Sequence, residues 1–322
     1  MNASIVSMSS RTGSGDALRQ ALRDEMEAHG LSQRQVSREA GVDREGSSKL
    51  NQWLQGSYRG DNAQIDKQLS TWLEQRRERR AMAVEMPAAP EWVETPTAAR
   101  IYSTLNYAQL SSVSACIYGG AGVGKTLTCQ HYQSTHNNVW IVTCSRGAAT
   151  HPACLRRIAQ AAGLRGFPQR TDELEEHLVE RFTATHGLLV LDEAQILSQD
   201  ALWGVKHLFD LAKIGVAYVG SEQVYVNLAG RKSEVNAPLF RRISKRQALK
   251  QPTRADVEML LDAWSVVADK RTLDTCLAIA EKPGALGMMT ETLRLAAFLA
   301  MGEGKPVDAA FIKAAHRDLG VV

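Results

Sequence analysis

The chain has 322 residues, 44% of them hydrophobic, with 38 basic against 35 acidic side chains and a formal net charge of +3. That length is enough for two or three domains with a sizeable core, and no stretch approaches 18 consecutive apolar residues, so a soluble protein without a membrane span is expected. The charge is too balanced to argue for a nucleic-acid partner by itself, and the polar start MNASIVSMSSRTGSGD lacks the apolar core of a secretory signal, so the expected location is the cytoplasm.

Residues 1–15, rich in Ser and Gly, read as a disordered leader. A compact helical pattern then runs over 16–80. Asp16 caps a helix through Leu18, Leu22 and Met26 that Gly30 ends, and Ser32 caps a second helix closed by Gly41. After the Gly41-Val42-Asp43 turn comes a third helix with Leu50, Trp53 and Leu54, and a further amphipathic helix carries Ile65, Leu69, Trp72 and Leu73. Two short helices joined by a Gly-containing turn form a helix-turn-helix pattern, and the segment from Leu31 to Gln55 resembles the lambda-repressor-like family. That resemblance makes Arg44, Ser47, Ser48, Lys49 and Gln52 candidates for the DNA groove and Arg34, Arg38 and Arg59 candidates for phosphate. The alternative is a helical bundle that docks protein and never reads DNA. Arg76-Arg77-Glu78-Arg79-Arg80 is either a solvated helix end or a weak phosphate-tracking run. Residues 81–96, with three prolines, read as an interdomain linker.

Over 97–251 strands and helices alternate, the pattern of an α/β core with a parallel sheet. Strands are expected at Val113–Tyr118, Val139–Val142, Leu188–Leu191, Val216–Gly220 and about Arg246–Leu249. The first expected strand runs into Gly119-Gly120-Ala121-Gly122-Val123-Gly124-Lys125-Thr126, which fits G-x-x-x-x-G-K-[ST]. Glycines there let successive backbone N–H groups turn inward around phosphate, and the following helix adds its positive end. Lys125 is the candidate partner of the β- and γ-phosphates of ATP, and Thr126 a candidate ligand of Mg²⁺. The run Gly187-Leu188-Leu189-Val190-Leu191 ends in Asp192-Glu193: Asp192 is the Mg²⁺-side carboxylate and Glu193 the candidate general base for the attacking water.

The α/β core followed by a helical segment resembles the AAA+ arrangement, which implies that Ser221, just past the fourth expected strand, is the best candidate to orient that water and report the γ-phosphate (sensor 1), with Glu222 second. Arg241 and Arg242 lie in the densest basic stretch of the core, where an arginine can reach a neighbouring copy's nucleotide; the alternative is a surface turn paired with the chain's own acids. The five cysteines form no C-x-x-C pair and read as buried thiols, without a disulfide or metal site. From 252 to 322 only helices are expected, as a small lid. A multidomain protein follows: an all-α helix-turn-helix domain, an α/β P-loop core of AAA+ type, and an all-α C-terminal lid.

The order of helix-turn-helix, Pro-containing linker, GGAGVGKT, LLVLDEA, VGSEQVY, LFRRISKR and KPGAL resembles the phage Mu transposition protein B family, related to the IstB/TnsC-like group. Trp92-Val93-Glu94-Thr95 and Asn137-Asn138-Val139-Trp140 belong to the same resemblance. It implies an ATP-dependent, sequence-tolerant ATPase that polymerises as a helical filament on double-stranded DNA, selects the transposition target and stimulates a DDE-type transposase. The place would be the host cytoplasm if the protein is phage-encoded. Arg146, Arg165 and Arg170 become candidates for duplex backbone contact. Two departures stand out: Gly287 occupies the place of the family's lid arginine, and the region ahead of the Asp-Glu strand carries Asp172, Glu173, Glu175 and Glu176. A helicase or replication-initiator loader, and a transcriptional regulator with an ATPase switch, remain alternatives.

Overall fold

Apolar residues at helical spacing dictate the first part of the chain, which divides after Ala88. In this computed structural model, which describes residues 6–43, 46–85, 89–229 and 237–320, it holds α1 (Val6–Ala28), α2 (Gln33–Glu39), α3 (Ser48–Leu54) and α4 (Asn62–Glu85). Leu22, Val36, Leu50, Trp53, Leu69 and Trp72 close into one core. A fully buried side chain of this size contributes about 1.5–3 kcal/mol. Polar groups fix the details: the Ser32 hydroxyl accepts from Gln35 N–H, and Trp53 Nε1 donates to Asp66. Arg19 and Arg23 donate to the carbonyls of Trp53 and Leu54, completing the C-terminal end of α3.

Three expectations change here. Helix begins at Val6, where a leader was expected over 1–15; that stretch contains no proline, and Gly13 and Gly15 each cost a helix only about 1 kcal/mol. Helix α4 runs to Glu85, into the expected linker. The third helix starts only at Ser48, so eight residues separate α2 from α3, more than in a tight turn. Arg44 lies outside the described residues.

Residues 89–322 form the second unit. Strands β1 (Ser114–Gly119), β2 (Val139–Thr143), β3 (Leu188–Asp192), β4 (Gly215–Gly220) and β5 (Ile243–Leu249) make one sheet in the order β2-β3-β4-β1-β5. Every neighbouring pair is parallel. β3 and β4 are buried at every position, as central strands of a parallel sheet should be.

Successive strand residues face opposite sides, so two cores form. On one side Ala115, Ile117, Leu188, Val190, Ala217 and Val219 pack with α5 (Pro96–Leu110) and α6 (Lys125–Thr135). On the other, Cys116, Leu189, Leu191, Val216 and Tyr218 meet α7 (His151–Ala161), α8 (Thr171–Phe182), α9 (Gln199–Ala212) and α10 (Glu222–Ala229). Helix α5, absent from the elements expected before the first strand, is capped by Thr95 with Pro96 in its first turn. Its buried face (Ile101, Leu105, Ala108) has ordinary helical spacing.

After α11 (Ala237–Arg242) and β5 come α12 (Arg254–Ala263), α13 (Lys270–Ala280), α14 (Ala285–Gly302) and α15 (Ala309–Asp318), with a core of their own around Leu261, Met289, Leu293 and Ile312. Asp256 ties α12 to α5, accepting from Thr97 N–H at 2.8 Å and the Thr97 hydroxyl at 3.0 Å while closing a capping box with Thr253. All five cysteines are free and buried. Among the described residues no helix is long and apolar enough to cross a membrane.

Candidate active site

The loop that leaves β1 is shaped by glycines with positive φ, Gly122 at 78° and Gly124 at 91°, the latter forming the N-cap of α6. A Cβ on Gly122 would lie 1.8 Å from the Gly284 carbonyl oxygen, so only glycine lets this loop meet the start of α14. The contact is a bond as well: Gly287 N–H donates to the Gly122 carbonyl at 2.9 Å. The position expected to differ from the family's lid arginine thus holds the loop by its backbone. Arg294, two turns further along α14, pairs with Glu291 at 3.2 Å.

Lys125, only 8% exposed, folds its amine back onto its own loop, donating to the carbonyls of Gly119 (2.9 Å) and Gly120 (2.6 Å). Burial pushes that ammonium below its ordinary pKa, while Glu193 and Asp192 pull it back up. Those carbonyls occupy the donors that would otherwise meet β- and γ-phosphate oxygens.

Asp192, the last residue of β3, is 2% exposed, and both side-chain oxygens have donors: Thr126 Oγ1 at 2.7 Å and the Glu193 N–H at 3.0 Å. The chain turns sharply here, with Glu193 at φ 57°. Among the described residues no group of three or more His, Cys, Asp or Glu could hold a metal alone. One hydroxyl and one carboxylate beside a phosphate loop nevertheless fit Mg²⁺, which takes its remaining ligands from water and phosphate.

Gly122, Lys125, Thr126, Glu193 and Gly287 line one cavity of about 390 Å³ whose apolar end is made by Pro90, Trp92, Val93, Leu260, Trp264 and Leu286. Pro90 to Thr95 therefore correct the expectation of a linker over 81–96: the strip is a wall of the cavity, and Val93 packs against the C-terminal helices. Its composition is linker-like, but Trp and Val between prolines were the signal of a segment that packs by its apolar side chains.

Gln195 carries no motif of its own, yet it connects the site. Its Nε2 donates to Glu193 Oε2 at 2.5 Å and its Oε1 accepts from Ser221 N–H at 3.2 Å. Ser221 thereby sits at the end of β4, joined to Glu193 through one side chain.

None of the remaining candidates is among the residues that line the cavity. Arg241 and Arg242 end α11, both exposed; Arg242 lies 3.7 Å from Asp210, and Arg241 makes no ion pair among the described residues. Arg34, Arg38, Ser48 and Lys49 are exposed in the first unit, and Arg146 and Arg165 in the second. Arg170 is held by Asp172 at 2.5 Å and Glu173 at 3.4 Å. In the basic run of α4, Arg76 and Arg80 both pair with Glu25, leaving Arg77 and Arg79 exposed.

Residues 111–228 match the profile of an AAA domain family, and residues 241–319 match that described as Mu B transposition protein, C terminal. The chain is 33% identical over 303 residues to the ATP-dependent target DNA activator B of Escherichia phage Mu, covering 94% of this chain and 95% of that protein. It is 32% identical to the Mu-like prophage FluMu DNA transposition protein B of Haemophilus influenzae, over 81% of this chain and 90% of the relative. The fold is similar to Cdc6p from Pyrobaculum aerophilum, with a TM-score of 0.55 at 18% identity over 73% of this chain and 70% of that one.

Proposed function

The chain belongs to the Mu B transposition protein family, and we propose that it is a Mg²⁺-dependent ATPase that assembles on duplex target DNA and activates a DDE-type transposase. The AAA profile and the relatives' name, ATP-dependent target DNA activator, support the dependence on ATP and on target DNA. Assembly as a helical filament and the transposase partner follow from the family resemblance.

One observation carries the reading: Lys125, Thr126, Asp192 and Glu193 converge where β1 and β3 end, with Thr126 and Asp192 bonded at 2.7 Å. In this arrangement the backbone of residues 119–126 cradles the phosphates and Lys125 turns from its loop carbonyls to the β- and γ-oxygens. Thr126 and Asp192 would hold Mg²⁺, which would supply charge neutralisation at the phosphates. Glu193 polarises the attacking water, and Ser221 orients it. Arg241 and Arg242, outside their own chain's cavity, suit a neighbouring copy's nucleotide. Residues 16–80 act as the helix-turn-helix domain and 252–322 as a lid whose α14 backbone holds the loop. Arg34, Arg38, Ser48 and Lys49, with Arg146 and Arg165, supply weak phosphate contacts that many subunits add together.

The test is negative-stain microscopy of the full chain with Mg²⁺, a long duplex and ATP. Helical filaments that need the triphosphate are expected. Isolated dimers at one operator-like site would instead favour a transcriptional switch, and a monomer indifferent to duplex under a non-hydrolysable triphosphate would overturn the reading.

A further inference from the structure

We infer that Gln195 is a positioning residue for hydrolysis, a side-chain amide that aims the Glu193 carboxylate from a fixed point at the end of β4. The inference rests on the reading of Glu193 as the general base. The orientation of the amide follows from its partners. Ser221 offers a backbone N–H at 3.2 Å, which can only donate, so the Gln195 oxygen must face it. The NH₂ then necessarily points the other way, where it donates to Glu193 Oε2 at 2.5 Å. The backbone of Gln195 is pinned too, its carbonyl accepting from Asn227 Nδ2 of α10 at 3.1 Å.

The space for this amide is made by Gly220. A Cβ at that position would stand 2.0 Å from Gln195 Oε1 and 2.7 Å from a methyl group of Val224, well inside contact distance. Any larger residue must push the amide off Ser221 and with it off Glu193. The base itself follows a left-handed turn, φ 57°, and is only partly buried, so its own backbone leaves the carboxylate several directions. A donor that fixes one oxygen leaves the other to meet water. The arrangement also joins two strands that are neighbours in space and distant in sequence: whatever displaces the end of β4 displaces the base.

Two variants approach the amide from opposite sides. Gln195→Met keeps length and volume but removes both hydrogen bonds; Gly220→Ala leaves Gln195 in place and occupies its oxygen's seat. Each is expected to keep ATP affinity, measured by titration with a fluorescent analogue, within about twofold. Each should lower single-turnover hydrolysis on duplex DNA on the order of 10- to 100-fold, the cost of a misdirected catalytic group. The double variant should lose no more than the worse single one, because both remove the same interaction. Glu193→Gln is the control. If it hydrolyses ATP at the parent rate, the assignment of the base fails and not the amide's role alone. If it is inactive while Gln195→Met turns over within twofold of the parent, the positioning role is overturned. Loss of affinity together with rate in both variants would make Gln195 merely structural, and would overturn it as well.

Discussion

At the end of β3, Asp192 is 2% exposed and each of its side-chain oxygens has a donor, whereas Lys49 on α3, Arg34 on α2 and Arg146 after β2 stand exposed. The proposed nucleotide end is a set of groups gathered around buried Lys125 and Asp192 and held to one another at hydrogen-bond distance. The proposed DNA contacts are separate cations with water around them. Removing one member of the first set leaves a buried group without its partner; removing one of the second leaves solvent. The proposed function is therefore assigned residue by residue in the cavity, while the proposed grip on DNA is a sum over residues and over subunits.

The largest effect is expected at Glu193. Changing it to Gln keeps the shape but removes the proposed base, so steady-state hydrolysis should fall about 10³-fold while ATP binding stays within about twofold. Filaments that outlive those of the parent would accompany it. Lys125→Ala comes next, acting on binding. The loss of a buried charge-assisted contact should weaken ATP affinity about 100-fold, close to 3 kcal/mol, read by equilibrium titration. Near-parent affinity in that variant would mean that the amine never leaves Gly119 and Gly120.

How much of this was legible in the sequence differs between the same two regions, for physical reasons. The loop from Gly119 to Thr126 shows in sequence because its backbone geometry demands glycine at fixed spacing, and β1 to β4 show because buried parallel strands must be largely apolar, whereas β5 (ISKRQAL) at the sheet edge alternates buried and exposed positions. Gln195 does not show. Its partner Ser221 is 26 residues away, and only the order β3-β4 brings the two together. The strip Pro90 to Thr95 has a linker's composition, and only its packing as the cavity wall reveals its part. For Arg170 the signal was present in the sequence: Asp172 and Glu173 follow within three residues, close enough to claim its charge.

Asp256 offers an intermediate case, a buried charge without a ligand. Burial alone would raise its carboxyl; hydrogen bonds from Thr253 and Thr97 outweigh that and hold it below the usual carboxylate range. The folded pKa lies under the unfolded value of about 3.9, so the stabilisation is fully present above that pH and is lost as pH falls through the folded pKa. Asp256→Asn should lower unfolding stability at pH 7 by about 2–3 kcal/mol in denaturant titration and flatten its dependence below about pH 4. Because Asp256 joins α12 to α5, next to the wall strip, a weaker ATP affinity should accompany it.

The smallest effects belong to the exposed cations, and their pattern matters more than their size. Lys49→Ala, Arg34→Ala and Arg146→Ala should each weaken filament binding to duplex only a few-fold. Each should also reduce the slope of log affinity against log salt by roughly 0.9 for every phosphate no longer neutralised, equally on unrelated sequences. Arg170→Ala should leave both quantities unchanged, since its guanidinium is already engaged by Asp172 and Glu173. A drop in salt slope for Arg170 equal to that for Arg146 would show that the duplex opens this ion pair. A base-dependent loss at Lys49 would mean that α3 reads sequence, moving the first unit from a phosphate grip to recognition.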